Sequence, residues 1–265
     1  MQLAFIGSND LGGLELDAAF AANHGFAGLE FNWWGNFKDV TEEHIRAMRE
    51  VLDRHGVGCC SLGIWGWNHT SLDAAERATA HEMLGRAIDF GEILGAYCLI
   101  TGGGQIEGGL EANAAEFKQV FPPFLDRMAQ AGMRSSFYAV HGQSFFTTLA
   151  AYEAVWDTLP QVGIKYDPAN WDHAGQDYLE VVRRHGDKVS HVHIKEHLNI
   201  GDEIASQPAA GMGDIAFGKV MAFLYEHNYQ GYLCFEPHGA LWGREPLRQK
   251  MLLLTKKHLD QFLLT

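Results

Sequence analysis

The sequence predicts an α/β protein folded as a single-domain (β/α)8 barrel over residues 1–265, and three observations lead there. Short apolar runs alternate with longer amphipathic stretches from one end of the chain to the other. Eight such strand-then-helix units fit into about 250 residues, the usual size of this barrel. No Pro/Ser-rich linker or shift in composition divides the chain, and 265 residues at 47% apolar supply a sizeable core. A doubly wound open sheet is the competing architecture, but it has less use for eight equal repeats.

Taken in order, strands are predicted at residues 3–6, 27–31, 57–62, 97–101, 133–141, 162–166, 189–194 and 231–236. Each is a short apolar run of strand length. Between them, apolar periodicity predicts helices at 14–23, 41–55, 72–94, 113–131, 144–157, 176–185, 216–227 and 245–262. Thr41 followed by Glu42 and Glu43 reads as an N-cap with an acidic first turn. Gly25, Gly56, Gly95, Gly132 and Gly186 fall where a helix should end and a strand soon begin, as C-cap glycines do.

Composition narrows the function classes. Lys plus Arg number 20 against 33 Asp plus Glu, a formal charge of −13. With no basic cluster longer than Lys256-Lys257, nucleic acid is not an expected partner. Cys59, Cys60, Cys98 and Cys234 lie in apolar runs without CxxC spacing and read as reduced thiols of a cytoplasmic protein. The opening MQLAFIGSND is strand-like and lacks the basic start of a signal peptide. No run approaches the ~18 apolar residues of a membrane span, so no membrane association is expected.

In a barrel of this kind the active site lies at the C-terminal ends of the strands. The second strand ends in Glu30, Asn32, Trp33 and Trp34, and the third runs into Trp65, Trp67 and His69. The fourth ends at Thr101 and Gly102–Gly104, the fifth at His141, and the sixth at Asp167 and Asn170. His191, His193, Lys195, Glu196 and His197 follow on the seventh, with Glu236 and His238 on the eighth. Asp167, His193 and Glu236, from three consecutive strands, form a mixed N/O set that suits one divalent ion: Mn, Co, Mg or Zn. Each alone has an ordinary reading: a turn-forming Asp before Pro, a hydrogen-bonded strand histidine, a Glu paired with Lys165 or Lys195. The tryptophans read either as core or as walls for the apolar face of a sugar ring. Gly102–Gly104 reads as a tight turn rather than a phosphate cradle, and the 201–213 segment as either a lid or an ordinary loop.

The segments GFAGLE (25–30), YDPAN (166–170), VSHVHIK (189–195), GMGDIAF (211–217) and YQGYLCFEP (229–237) resemble the xylose isomerase-like TIM-barrel superfamily of sugar phosphate isomerases and epimerases. The likeness runs along the whole chain. It implies one divalent metal held by a Glu, an Asp, a His and a Glu after strands five to eight. The last three map to Asp167, His193 and Glu236; the first falls on Ala139 in YAVHG (138–142), a natural loss or an introduced change. The usual His of the strand-six motif is Asn170.

The resemblance implies an isomerase or epimerase acting on a keto sugar or related polyol through an enediolate. Glu236 is then the remaining catalytic carboxylate, with His141 as a candidate second acid/base and Lys195 beside them. Glu30, Trp65, His69, Asn170 and Glu196 are candidate substrate contacts. Two alternatives stay open: a lyase or dehydratase on a 3-oxo sugar or 3-oxo-glycoside using His141 as base, and a catalytically silent sugar-binding barrel. A small-molecule sugar is the expected partner. A homo-oligomer is compatible with the sequence.

Overall fold

The last predicted strand closes on the first. The computed structural model describes residues 1–138 and 142–264. In chain order the strands are β1 (Gln2–Ile6), β2 (Gly28–Trp33), β3 (Gly58–Ile64), β4 (Cys98–Thr101), β5 (Arg134–Phe137), β6 (Ile164–Tyr166), β7 (Val189–Ile194), β8 (Leu198–Ile200), β9 (Glu203–Ser206) and β10 (Tyr232–Phe235). All but β8 and β9 form one closed parallel barrel, with β10 as its eighth strand. Leu3 stands opposite Leu233 and Phe5 opposite Phe235 at the closure. The (β/α)8 architecture is therefore the one the sequence predicts.

The helices are α1 (Leu11–His24), α2 (Glu42–His55), α3 (Ala74–Leu94), α4 (Leu110–Val120), α5 (Pro122–Gln130), α6 (Leu149–Trp156), α7 (Pro168–His173), α8 (Tyr178–His185), α9 (Phe217–Glu226) and α10 (Leu247–Leu259). α2 shows how local signals set an element. Thr41 Oγ1 accepts the His44 N–H at 3.2 Å, and Ile45, Met48, Val51 and Leu52 form its buried face. Gly56, at φ 65°, ends it in a left-handed turn that side chains with a Cβ avoid. Gly186 differs from this expectation: it is right-handed, at φ −61°, and continues into a short 3-10 turn.

Three further departures have local causes. The predicted 113–131 helix is two helices, because Pro122 and Pro123 lack the N–H donors an unbroken helix needs. Helix α6 starts at residue 149 rather than 144. Ser144 Oγ accepts the Gly103 N–H at 3.0 Å and the Phe145 N–H donates to the Gly104 carbonyl at 3.0 Å, extending the β4–β5 edge instead. The start of the predicted 201–213 excursion belongs to the antiparallel β8–β9 hairpin.

Between barrel and helices lies an aromatic-rich core that includes Phe117, Phe121, Phe137, Phe146 and Tyr152. The barrel interior is different in kind. Its lower end holds Ala4, Cys60 and Cys234, and above them lie buried Glu30, Ser61 and His191. The four cysteines are buried free thiols. No helix among the described residues is long and apolar enough to cross a membrane.

Candidate metal centre

Side chains alternate along a strand, so β6, β7 and β10 each turn alternate residues into the barrel. At their upper ends these are Asp167, His193 and Glu236, whose ligand atoms lie within 4.8 Å of one another. His193 Nδ1 is 2.8 Å from Glu236 Oε2 and 3.8 Å from Asp167 Oδ2. Asp167 is buried at the N-cap of α7, where its Oδ1 accepts the Asn170 N–H at 3.1 Å. This oxygen–nitrogen–oxygen donor set fits a hard or borderline divalent ion.

The other imidazole nitrogen explains Glu30. His193 Nε2 lies 2.9 Å from both Glu30 oxygens, and His191 Nε2 is 2.7 Å from Glu30 Oε2. Ser61 Oγ donates to the same carboxylate at 2.6 Å and Asn32 Nδ2 at 2.7 Å. Glu30 is fully buried. Its burial opposes ionisation, yet the charge of His193 and the hydrogen bonds from His191 and His193 hold its carboxyl well below the usual range. Glu30, His191, His193 and Cys234 form a second group with donors this close. Glu30 is already saturated by four donors, so its work is to fix the His193 ring with Nδ1 facing Asp167 and Glu236. A carboxylate that orients a ligating histidine in this way is a recurrent feature of metal sites.

Burial pushes the His193 imidazole down, but Glu30 and Glu236 on its two sides raise its pKa to about 9. For Glu236 burial again opposes ionisation, while the Lys195 charge and hydrogen bonds from His193 and His238 hold the carboxyl well below the ordinary value. Lys195 Nζ is 3.6 Å from Glu236 Oε1 and donates to Asn170 Oδ1 at 3.2 Å. Asn170 Nδ2 donates to Asp167 Oδ2 at 2.6 Å and touches the Tyr138 hydroxyl. Asn170 thus ties the strand-six and strand-seven groups together.

Tyr138 is the residue sequence reasoning missed. It directly follows β5, packs beside Trp65, Cys98 and Ile100, and places its hydroxyl 3.3 Å from Asp167 Oδ2. Burial, with Asp167 and Glu236 nearby, pushes its phenol well above the ordinary value, so it stays neutral. Strand five therefore faces the cluster with a phenol. Ala139 and His141, assigned above to the strand-five ligand and base positions, lie outside the described residues.

A cavity of about 350 Å³ opens above the cluster, lined by Glu30, Asn32, Trp34, Trp65, Lys165, His193, Glu236 and His238 among others. Trp65 is held by its Nε1–H on Asn32 Oδ1 at 2.9 Å. Gly63 makes room for this: a Cβ there would sit 2.2 Å from Asn32 Oδ1. Trp65 and Trp34 are thus cavity walls, while Trp33 packs in the core against Phe31 and Phe37.

Two expected substrate contacts are placed elsewhere. His69 is buried against Phe121, with Nε2 2.9 Å from Thr101 Oγ1, and burial lowers its pKa to about 3. It is a neutral packing residue. Glu196 accepts N–H groups from His197, Gly211 and Ile215 at 3.0–3.1 Å; its carboxylate anchors the segment after the hairpin. That segment is pinned, with Ala209 and Ala210 buried, rather than free to act as a lid. The E196A variant is expected to lose about 2–3 kcal/mol and to be cut by protease between residues 207 and 216, read by limited proteolysis. Gly103 and Gly104 pack where a Cβ would meet Phe146 at 2.4 Å and Thr70 at 2.2 Å; instead of the expected tight turn, Gly104 bridges Ser144 in parallel and prolongs the β4–β5 edge.

No curated protein matches the sequence at a significant level. Among solved structures, a D-allulose 3-epimerase from Methylomonas sp. shares 20% identity over 99% of this chain and 98% of its own, with a TM-score of 0.79. An L-ribulose 3-epimerase shares 18% over 98% and 94%, at 0.77. The IOLI protein, solved with a binding zinc atom, shares 15% over the whole of both chains, at 0.75. These likenesses concern the fold. The family profile described as xylose isomerase-like TIM barrel matches residues 18–257, nearly the whole chain, and the chain belongs to that family.

Proposed function

We propose that this protein is a divalent-metal enzyme that isomerises or epimerises a keto sugar or related polyol through an enediolate. The observation that carries the reading is the convergence of Asp167, His193 and Glu236 at the floor of a cavity walled by Trp34 and Trp65. The names of the epimerase neighbours and the zinc in the IOLI structure support it.

In this reading Asp167, His193 and Glu236 hold the ion, which supplies Lewis acidity to a carbonyl oxygen. Glu236, kept ionised by Lys195 and His193, takes the proton from the carbon beside the carbonyl. Trp65 and Trp34 carry the apolar face of the sugar, and Lys195 holds Glu236 and Asn170 in place. Tyr138, neutral and next to Asp167, is a proton donor rather than a second base. A proton moved along one face by Glu236 gives isomerisation; return from the Tyr138 side gives epimerisation.

The neutral phenol also favours a second reading. A lyase needs a base at carbon and an acid at the departing oxygen, and Glu236 with Tyr138 supply both. Incubation of the manganese-loaded protein with ketohexoses and 3-oxo-glucosides in D2O separates the readings. Isomerisation or epimerisation puts deuterium into a recovered sugar, whereas the lyase releases water or an aglycone. No turnover of either class by a metal-loaded protein contradicts both.

The proton on His193 gives a further expectation. Its folded pKa of about 9 exceeds the ordinary value of about 6.5. In metal-free protein its stabilising contribution is complete below about pH 6.5 and is lost as pH rises through about 9. A metal displaces that proton, so apparent manganese affinity should rise about tenfold per pH unit between pH 7 and 8.5. Titration of stripped protein at several pH values checks the slope.

A further inference from the structure

Lys165 stands two residues before Asp167 on β6 and is 3% exposed, with its side chain lining the cavity. Its Nζ lies 3.9 Å from Asp167 Oδ2, beyond hydrogen-bond reach, and 3.8 Å from the centre of the Tyr138 ring. Among the described residues no acceptor is within reach of its three N–H donors. Burying an ammonium costs several kcal/mol unless its charge and its donors are both compensated. Asp167 and the ring face compensate the charge, but among the described residues the donors have no acceptor.

Lys195, by contrast, is engaged with Glu236 and Asn170, so Lys165 is the cavity-lining ammonium left without an acceptor among the described residues.

We propose that the substrate is a monoanion, a keto sugar bearing a carboxylate, and that Lys165 receives that carboxylate. The proposal rests on the metal-enzyme reading. The planar arginine fork that binds phosphate through two parallel N–H bonds is not found here: no arginine lines the cavity among the described residues.

The test is calorimetric titration of the manganese-loaded full chain with fructose, its C6 carboxylate fructuronate, and fructose 6-phosphate. Fructuronate is expected to bind at least tenfold more tightly than either, and K165M to shrink that preference to within twofold. Equal binding of the acid and the neutral ketose, tighter binding of the phosphate, or a preference that survives K165M overturns the proposal. The wild-type comparison decides alone if K165M does not fold. Metal content measured on the same sample separates the two levels: without bound manganese the functional reading falls and this proposal with it. With manganese bound and no acid preference, only the proposal falls.

Discussion

Replacing Glu236 by glutamine is expected to abolish stoichiometric divalent-metal binding and to lower turnover by at least about 10³-fold. Glu236 carries two duties in this account. Its Oε2 meets His193 Nδ1 at 2.8 Å, and its Oε1 is held by Lys195 and His238. An amide keeps the shape but gives up the charge that both duties need. The fold should survive, since the Glu236 side chain is at the cavity and 14% exposed rather than in the core. Metal content and a thermal melt, read together, check this without knowing the substrate. An E236Q protein that still binds one ion per chain would place the metal elsewhere.

The second large effect is expected from Glu30→Gln, which touches no substrate in this account. Four donors converge on Glu30, and an amide offers one acceptor oxygen and turns an NH2 group toward the others. Breaking a buried charged network in this way costs about 3–5 kcal/mol. Loss of the group that orients a ligating imidazole weakens metal binding by about 10–100-fold. The two readouts separate the roles. A merely structural Glu30 would lower the melting temperature while the folded fraction kept its manganese affinity. A positioning Glu30 lowers both, and S61A, which removes one neutral donor at 2.6 Å, should cost only about 1 kcal/mol.

The barrel was legible because hydrophobic periodicity and helix caps are local signals, repeated eight times. Asp167, His193 and Glu236 were legible for a related reason: polar groups at the ends of otherwise apolar strands mark the mouth. Glu30 could be picked out as a residue but not as an orienting group, since it meets His193 from 163 positions away. Tyr138 was missed because strand direction has a period of two, so which of two neighbours faces inward depends on a register set by partner strands. Lys165 was seen only as a partner for Glu236; its cavity-facing position follows from the same register. His69 and Glu196 follow strands just as the site residues do, yet one packs against Phe121 and the other holds backbone N–H groups. Sequence position alone does not distinguish these uses of a polar side chain.

The most direct test of the account is elemental analysis of the purified protein before and after incubation with manganese, alongside E236Q. The account predicts close to one divalent ion per chain in the parent protein and none held in the variant. A parent protein that binds no ion at neutral pH or at pH 8.5, where His193 gives up its proton more readily, would contradict the claim that Asp167, His193 and Glu236 form a metal centre.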